Sequence, residues 1–451
     1  MMSLDQILAI SIFVILLIVL IIGKVPRYIP ALIGAAVVIL VIFLGIQKSP
    51  DAVWKVLNLE QVGQWRFWVP GKEHIESYGI NWQTIIFIGG MMIMIAGMEK
   101  VGFFRWICLL AARLVGCRAI PLLLSFMFIS AFLSMFIDSI TVMLFLARVT
   151  IELGRLLKFD PVPVIVAEIF AANTGGSATM SGDPPNIIIG TAFGYTFMNF
   201  AANTGLIAWV CIIVSMVYFY IIFRKSLKQG TNPGEMMKVC PLPASAITNS
   251  RLFMIDTGIF VFTVMLIITH AETGLSVATI GVIAAVLTVL ADMKDITHVL
   301  KPDWQTLLFF VGLFICVGGL EETGVLQTIA KFIGDASSGR ITVAMPVILW
   351  ISAFASAIID NIPFAAAMVP VIKDLSVVGA MSLPALAWAL ALGTDLGGNA
   401  TPIGASANVV GTAVAQKEGY PISWGRYIKY ALPPMILVVI ICHLMLLWRY
   451  A

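Results

Sequence analysis

The amino-acid sequence predicts an all-α polytopic membrane protein with an inverted-topology repeat, about ten transmembrane helices, two opposed re-entrant hairpins and two discontinuous helices. The first reason is composition: 60% of the 451 residues are hydrophobic and 11% are charged, whereas about 25% of a typical soluble protein is charged. The second is the recurrence of apolar runs of about 20 residues, the length that crosses a hydrocarbon core as a helix. The third is an internal repeat, which in a membrane protein locates the functional centre.

Ten apolar runs are predicted to span the membrane as helices. They lie at residues 7–23, 29–46, 82–98, 161–190, 203–224, 252–269, 275–292, 304–320, 383–412 and 431–448. Because no basic segment precedes the first run, we expect a retained helix and not a cleaved signal peptide. Two further apolar stretches, 119–154 and 341–376, are interrupted midway by polar residues. Each is predicted to be a re-entrant hairpin, because the half-segments are short for a full span; two full spans are the alternative.

The two halves of the chain share a repeated sequence. The tripeptide Trp-Gln-Thr at Trp82 recurs at Trp304, a displacement of 222 residues. At the same displacement, residues 129–138 and 351–360 are identical at seven of ten positions. One fixed displacement over about a hundred residues indicates duplication.

The repeat divides the chain into three parts. They are repeat 1 at 1–224, with hairpin 119–154 and broken helix 161–190, a linker at 225–250, and repeat 2 at 251–451, with hairpin 341–376 and broken helix 383–412. The linker is basic and polar and contains no recognisable chemistry.

The basic residues predict the orientation. With each hairpin returning to the side it enters from, 19 of the 27 Lys and Arg residues fall on one side, which the positive-inside rule identifies as the cytoplasm. The linker lies on this side. The helix from Trp82 then runs inward and its copy from Trp304 runs outward. The halves are therefore predicted to be inverted, with one hairpin entering from each side.

Four carboxylates lie in apolar surroundings, at Asp138, Asp183, Asp360 and Asp395. Each costs about 2.5–3.5 kcal/mol at the centre of a bilayer, so polar cavities, bound cations or protonation have to offset them. Asp138 and Asp360 fall at the hairpin tips, where unpaired backbone groups are tolerated only around a water- or ion-filled cavity. We expect the tips to bind an ion or substrate. Capping of the returning half-helix is the alternative, and it is compatible with binding.

Two predicted spans are interrupted by small and polar residues. Between Asn173 and Asn186, glycines and two prolines unwind the helix. The copy, between Asp395 and Asn408, keeps several of the glycines. Discontinuous helices at corresponding positions of two halves are the strongest sequence indication of a transport site. Close helix packing accounts for the glycines but not for the amides, hydroxyls and carboxylates among them.

Three motifs resemble a known family. The segments GGSATMSGDPPNIIIG (175–190), IDNIPF (359–364) and LGGNATPIGASANVVG (396–411) resemble the P-protein and arsenite-permease branch of the ion-transporter superfamily. The resemblance to dicarboxylate/sodium symporters and to NhaD-type sodium/proton antiporters is more distant. The resemblance implies a scaffold and a transport domain, elevator-type alternating access and commonly a homodimer.

The candidate ion- and substrate-binding residues are the polar residues of the tips and broken helices. They are Asp138, Ser139, Thr141, Asn173, Thr174, Ser177, Thr179, Asp183, Asn186, Asp360, Asn361, Asp395, Asn399, Thr401, Ser406 and Asn408. The resemblance implies sodium sites at Asp138, Asn173, Asp360 and Asp395. We expect no cofactor other than Na⁺ or H⁺ as a coupling ion. The expected partners are a small ion or anion, the lipid bilayer of the cell membrane and a second copy of the chain, and the net charge of +3 gives no indication of nucleic acid.

The tips depart from the carboxylate symporters, which carry a Ser-Asn-Thr signature where this chain has Asp138-Ser139 and Asp360-Asn361. An added carboxylate favours a cation or proton and opposes a free anion, so a carboxylate substrate needs bound sodium or helix N-termini to offset that charge. The expected function is secondary active transport of a small ion or anion coupled to H⁺ or Na⁺, with arsenite as a first substrate. The alternatives are sodium/proton antiport, sodium-coupled carboxylate transport and a passive channel. An enzyme is not expected, because the sequence has no HExxH motif, phosphate-cradling loop or nucleophile–His pairing.

Two further expectations concern smaller features. The six cysteines are scattered without a CxxC pair, and we interpret them as small apolar packing residues. The amphipathic segments 102–118 and 324–339 are interpreted as interfacial arms that link a moving part to a fixed one. Plain extensions of the preceding helices are the alternative.

Overall fold

The computed structural model describes residues 3–71, 78–227, 239–293, 303–378 and 381–450. Within these ranges the chain forms helices and no strand. The main helices of the first half are α1 (Leu4–Ile22), α2 (Tyr28–Val37, continued by the π-helix Val38–Ile46), α3 (Pro50–Leu57), α4 (Trp82–Lys100), α5 (Phe103–Leu114), α6 (Ala119–Ser134), α7 (Ser139–Leu157), α8 (Val162–Gly176), α9 (Pro184–Phe193) and α10 (Leu206–Phe223). Those of the second half are α11 (Ser250–Ile268), α12 (Val277–Ala291), α13 (Trp304–Glu322), α14 (Val325–Ala336), α15 (Ile341–Ile358), α16 (Asn361–Val378), α17 (Leu383–Gly397), α18 (Ser406–Lys417) and α19 (Trp424–Tyr450). Short helical turns are Leu59–Val62, Trp65–Trp68, Phe197–Phe200, Ala201–Gly205, Pro243–Ala246, His270–Thr273 and Gly398–Ala400.

In the described ranges, eight helices have at least 18 residues and are apolar enough to cross a membrane. Seven of them coincide with predicted spans, and the eighth, α15, lies in the predicted hairpin 341–376; the predicted span 275–292 contains the 15-residue α12. The prediction of an all-α polytopic membrane protein is therefore confirmed. The two predicted broken spans consist of helix pairs, α8 with α9 and α17 with α18, separated by non-helical residues around 177–183 and 401–405. The helix order also repeats from α4–α10 to α13–α19.

Matching polar residues begin the matching helices. The Asn81 side chain accepts a hydrogen bond from the Thr84 amide and starts α4. Asp303, its counterpart, accepts from the amides of Gln305 and Thr306 and starts α13. These side chains satisfy backbone donors that have no partner in the first turn of a helix.

The hairpins are longer than expected. After the breaks, α7 has 19 residues and α16 has 18, enough to cross a hydrocarbon core with little to spare. The expectation of short half-segments is therefore wrong. The position of the hairpin tips supports re-entry. Ser139 and Asn361, the first residues of α7 and α16, both contact Asp183, which lies at the break between α8 and α9.

Two bundles are formed, and each contains helices of both halves. We call α1–α4 with α11–α13 the frame bundle. Its tightest contacts cross between the halves, where α12 packs on α4 and α2 packs on α13. A Cβ added at Gly90 would lie 2.1 Å from the Gly281 carbonyl oxygen, and one at Gly312 would lie 2.7 Å from that of Ala31. Only glycine permits backbones this close.

We call α6–α10 with α15–α19 the hairpin bundle. Each hairpin packs on the broken helix of its own half, α6 on α8 and α15 on α17. A Cβ added at Gly175 would lie 2.1 Å from the Ala131 carbonyl oxygen, and one at Gly397 would lie 2.3 Å from that of Ala353. Across the halves, α18 packs on α7 and α9 packs on α16. The duplicated motifs therefore meet in the interior of this bundle.

The amphipathic segments are separate helices. Gly102, with φ of 84°, ends α4 and precedes α5, and Gly324, with φ of 74°, ends α13 and precedes α14. Because this left-handed conformation breaks a helix, the alternative of a plain extension is wrong. The helices pack against the hairpins, α5 on α6 and α7, and α14 on α16.

Two cysteines do not have the predicted packing role. Cys117, after α5, forms a disulfide with Cys240, although 123 residues separate them in sequence. The described part of the linker returns to the end of α5 at this point, which no local pattern predicts; its residues 228–238 lie outside the described residues. Cys108, Cys211, Cys316 and Cys442 are buried thiols, in line with the packing interpretation.

Candidate functional site

Each broken helix is stabilised at its break by one asparagine. The Asn186 Nδ2 donates to the carbonyl oxygens of Gly176 and Thr179, both at 3.0 Å. Asn408 does the same in the second half, with both distances at 2.7 Å. These carbonyls have no helical partner at the break, so the side-chain amides replace the missing backbone donors.

A hydroxyl at each break attaches the neighbouring hairpin. Thr179 Oγ1 donates to the carbonyl oxygen of Met135, at the end of α6. Thr401 Oγ1 donates to that of Ala357, near the end of α15, at 2.5 Å. The last carbonyls of a helix need such partners. Each tip and the break of its own half therefore form one unit.

The two hairpin tips meet at Asp183, which is 3% exposed. Its Oδ1 accepts a hydrogen bond from Ser139 Oγ at 2.6 Å. Its Oδ2 accepts one from Asn361 Nδ2, also at 2.6 Å. Ser139 begins α7 and Asn361 begins α16. One carboxylate thus joins the tips of both halves.

The second central carboxylate, Asp395, is fully buried. Its polar neighbours include Asp183, Asn186 and Asn361. Neither of its oxygens accepts a hydrogen bond in the described part of the chain. Adjacent buried carboxylates repel each other, and an uncompensated buried charge is costly. A proton or a cation held between the two broken helices would remove part of this charge and lower the repulsion.

Asn173 stands where the second half has Asp395. Its Nδ2 donates to Asn399 Oδ1 at 3.0 Å and to Asn408 Oδ1 at 2.8 Å. The Oδ1 atoms of Asn173 and Asn186 are buried and accept no hydrogen bond from described residues. Carboxylate and amide oxygens are the ligands that hard cations prefer, so these unpaired oxygens have the chemistry to bind a small cation.

Other predicted site residues make local hydrogen bonds. The hydroxyls of Thr174 and Ser177 donate to the carbonyl oxygens of Phe170 and Thr174, at 2.7 and 2.8 Å. Asp138 caps α7: its Oδ1 accepts from the Thr141 amide at 2.9 Å, and its Oδ2 accepts from the Thr141 hydroxyl at 2.8 Å. Both of its oxygens are therefore occupied at the tip.

Asp360 has a basic partner that the sequence did not indicate. Its Oδ2 accepts hydrogen bonds from Arg27 Nη1 at 2.7 Å and from Ser406 Oγ at 2.8 Å. Its Oδ1 accepts from the Ile362 amide at 3.2 Å. Arg27 lies between α1 and α2 in the frame bundle, 333 residues away. Asp360 is thus compensated by a cationic side chain of this protein.

Glu168 in α8 is another buried carboxyl. It is fully buried, and its Oε1 accepts a hydrogen bond from Thr150 Oγ1 at 2.5 Å. The corresponding residue of the second half is Leu390. An acidic residue in the apolar run 161–190 was the sequence signal that could have identified it.

The bundles touch through a polar contact in the first half. Asn81 Nδ2 donates to Thr191 Oγ1 at 2.7 Å, and Thr84 Oγ1 lies 3.2 Å from the same oxygen. These atoms join α4 of the frame to α9. The equivalent pair, α13 and α18, borders a cavity of about 250 Å³ that Thr306 and Ser406 help to line. The halves therefore contact the frame unequally.

A larger cavity of about 650 Å³ lies beside the second hairpin. Its lining includes Lys24, Arg27, Asp360, Phe309 and Trp424. A further cavity of about 360 Å³ lies between the bundles on the side of the first half, near Thr191 and His270. This cavity reaches Thr191, whose hydroxyl makes the contact between the bundles in the first half.

Many apolar helices, with two broken helices and two tips around buried carboxylates, define a membrane transporter. Residues 17–393 match the citrate transporter family, CitMHS, and the chain belongs to this family. It is accordingly a transporter and not an enzyme, and an integral multi-pass protein of the cell membrane. The resemblance inferred from the three motifs is confirmed.

Individual relatives agree with this assignment. The chain is 29% identical to a 46 kDa membrane protein of Mycobacterium leprae, covering 99% of both chains. It is 33% identical to the uncharacterized transporter Rv2685 of Mycobacterium tuberculosis, over 78% of this chain and 82% of that protein. It is 28% identical to the P protein of Homo sapiens, over 83% of this chain and 54% of that protein. The fold is similar to that of the YdaH transporter of Alcanivorax borkumensis, with a TM-score of 0.55, 14% identity and coverage of 99% and 98%.

Proposed function

We propose that this protein is a secondary active transporter that moves a small anion together with H⁺ or Na⁺. The observation that carries the proposal is the buried pair Asp183 and Asp395. The tips of both hairpins bond to Asp183, while Asp395 accepts no hydrogen bond from the described residues. A carrier requires a site whose occupancy changes the contacts of its gates.

The coupling cation would act at this pair. A proton or Na⁺ held between Asp183 and Asp395 lowers their repulsion and allows the broken helices to stay together. Without the cation, the second carboxylate has no compensating charge. The hydrogen bond from Asn361 to Asp183 makes the tip of the second hairpin sensitive to this occupancy. The resemblance implies four sodium positions. Two of them, Asp395 and Asn173, carry side-chain oxygens that accept no hydrogen bond from described residues, and these two support the proposal best.

Alternating access of the elevator type follows from the two bundles. In this proposal the hairpin bundle moves against the frame bundle. The polar contact of Asn81 and Thr84 with Thr191 holds the first half closed, and the cavities near Arg27 open the second half. The charge bias places Arg27 and the 225–250 linker on the cytoplasmic side, so this conformation would face inward. A homodimer, with the frame bundles in contact, completes the proposal.

Citrate is the first substrate to test, because the family takes its description from it; arsenite follows from the P-protein and arsenite-permease resemblance. The purified protein is reconstituted into liposomes, and a sodium or a pH gradient is imposed alone. Uptake of labelled citrate, succinate or arsenite in response to one gradient is expected. Asp183→Asn is the matched inactive variant. If neither gradient moves any of these solutes, the proposal fails.

Sodium/proton antiport is the second candidate, since the carboxylate pair alone would bind both ions. It predicts sodium-driven proton movement, seen with a pH dye inside the liposomes, in the absence of any anion other than chloride. If sodium-driven proton movement is seen only after citrate is added, the symport proposal is favoured instead. A passive channel would give single-channel currents far above carrier rates.

A further inference from the structure

Arg27 is placed to do more than neutralise a carboxylate. Its side chain is 35% exposed, whereas that of Asp360 is 7% exposed. In the described part of the chain its hydrogen bonds come from Nη1 alone, to Asp360 and Ser406. A guanidinium has five N–H donors arranged to hold a carboxylate or another oxyanion. Arg27 therefore has donors left, and they border the 650 Å³ cavity.

The surroundings suit the charged end of a small anion. Ser406 Oγ, 2.5 Å from Arg27 Nη1, belongs to the first turn of α18, where backbone amides add positive potential. Phe309 and Trp424 supply apolar walls to the cavity. The charged groups that face this position are Asp360, Lys24 across the cavity, Asp303 in the adjoining cavity and Asp183 behind the tip.

The first half has no counterpart to this arrangement. The early helices of the two halves match at a displacement of 247 residues, with Ala31-Leu32-Ile33-Gly34 resembling Ala278-Thr279-Ile280-Gly281, and at this displacement Arg27 corresponds to Gly274. Asp138, the counterpart of Asp360, is bonded by Thr141 in its own helix and makes no ion pair among the described residues. If the arginine served only to stabilise a hairpin tip, neither half would need it, since both carboxylate oxygens of Asp138 accept hydrogen bonds without an arginine.

We propose that Arg27 is the anion-binding residue of this transporter, that it takes a carboxylate or similar oxyanion group of the substrate, and that Asp360 occupies it when no anion is bound. This inference rests on the proposed function, because it names the residue that recognises the anion. The incoming anion replaces Asp360 at the guanidinium. The released Asp360 carboxylate adds negative charge near Asp183, which favours the coupling cation at Asp183 and Asp395 and links anion binding to cation binding without covalent chemistry.

Two substitutions test the exchange in opposite directions. Asp360→Asn removes the internal competitor, so binding of citrate to the detergent-purified protein should tighten by tenfold or more, the scale of a charged hydrogen bond. Arg27→Gln should abolish binding, and Arg27→Lys should retain it weakly because the fork geometry is lost. Lys225→Gln is the control: it removes a positive charge from an exposed residue that lines neither of the cavities beside Arg27, and it should leave the affinity unchanged.

Binding is measured by calorimetry with the potassium salts of citrate, phosphate and sulfate, and melting without anion verifies that each variant is folded. If Arg27→Gln does not fold, Arg27→Lys tests the expected loss of anion affinity and Asp360→Asn tests the expected gain. The proposal is overturned if no probe anion binds Asp360→Asn more tightly than the unmodified protein, or if Lys225→Gln loses affinity as Arg27→Lys does. If the unmodified protein transports the anion but these variants bind it with unaltered affinity, this inference alone is overturned. Anion binding at Arg27 without gradient-driven uptake overturns the proposed function alone.

Discussion

The Asn361 side-chain amide donates to the Asp183 carboxylate across 2.6 Å, so the hairpin tip of the second half closes on the broken helix of the first. Ser139 makes the equivalent bond from the first hairpin. The buried side chain of Asp183 therefore contacts both hairpin tips, and its substitution should remove the link between them.

Asp183→Asn should reduce gradient-driven uptake in liposomes by at least tenfold. An amide at this position cannot accept from both tips with the strength of a carboxylate, and hydrogen bonds to charged groups contribute about 1.5–3 kcal/mol. Asn361→Ala and Ser139→Ala should each cause a smaller loss, because one of the two bonds remains. Uptake by Asp183→Asn at the unmodified rate, in protein that elutes as a single peak, would contradict the role given to this carboxylate.

Thr84 and Thr191 offer a test of alternating access. Their hydroxyl oxygens lie 3.2 Å apart across the two bundles, so cysteines at both positions should form a cross-link in an otherwise cysteine-free protein. Oxidation should stop transport, and reduction should restore it. The matched pair is Thr306 with Ala413, at the displaced positions in α13 and α18. It should cross-link only in the opposite conformation, and equal rapid cross-linking of both pairs at once would argue against a two-state carrier.

The glycines under the hairpins should be intolerant of a methyl group. Gly175→Ala and Gly397→Ala place a Cβ 2.1 and 2.3 Å from carbonyl oxygens of α6 and α15. Overpacking of this kind typically costs about 1–3 kcal/mol. Gly258→Ala in α11 is the control, since nothing lies within 4 Å of its added Cβ, and it should be neutral or stabilising by up to about 1 kcal/mol. Melting followed by tryptophan fluorescence distinguishes these outcomes.

The Cys117–Cys240 pair tests the orientation. The charge bias assigns the linker to the cytoplasm, where thiols are kept reduced. In cells the two residues should therefore be free thiols, which a permeant alkylating reagent, added while the cells are denatured, should modify and mass spectrometry should detect. After mild oxidation of the purified protein they should form the disulfide seen here. A disulfide already present in cells quenched with a permeant alkylating reagent would reverse the orientation.

The broken helices could be predicted because their cause is local. Gly182, Pro184 and Pro185 lie within four positions, and together they disfavour a continuous helix there. The tips were found for the same reason, as polar residues in the middle of apolar stretches. Thr174 and Ser177 belong to the same motif, yet their hydroxyls bond within their own helix. The direction in which a helical side chain points depends on its position around the helix axis, which the motif alone does not give.

Other parts of the site could not be predicted from sequence. Arg27 is one of several basic residues in loops, where the positive-inside rule already explains its presence. Nothing near it in sequence connects it to Asp360. Glu168 was open to prediction, because a carboxyl in an apolar span is informative by itself.

The sequence by itself determined that the chain lies in the membrane, that it is duplicated and where its helices break. These properties follow from the composition of each segment, because partition into lipid and helix breaking act residue by residue. Only the tertiary structure decided how the carboxylates are compensated. Asp183 receives both tips and Asp360 receives Arg27, while Asp395 receives no bond from the described residues. The physical reason is range: a hydrogen bond requires donor and acceptor within about 3 Å, and folding alone brings residues this far apart in sequence to that distance.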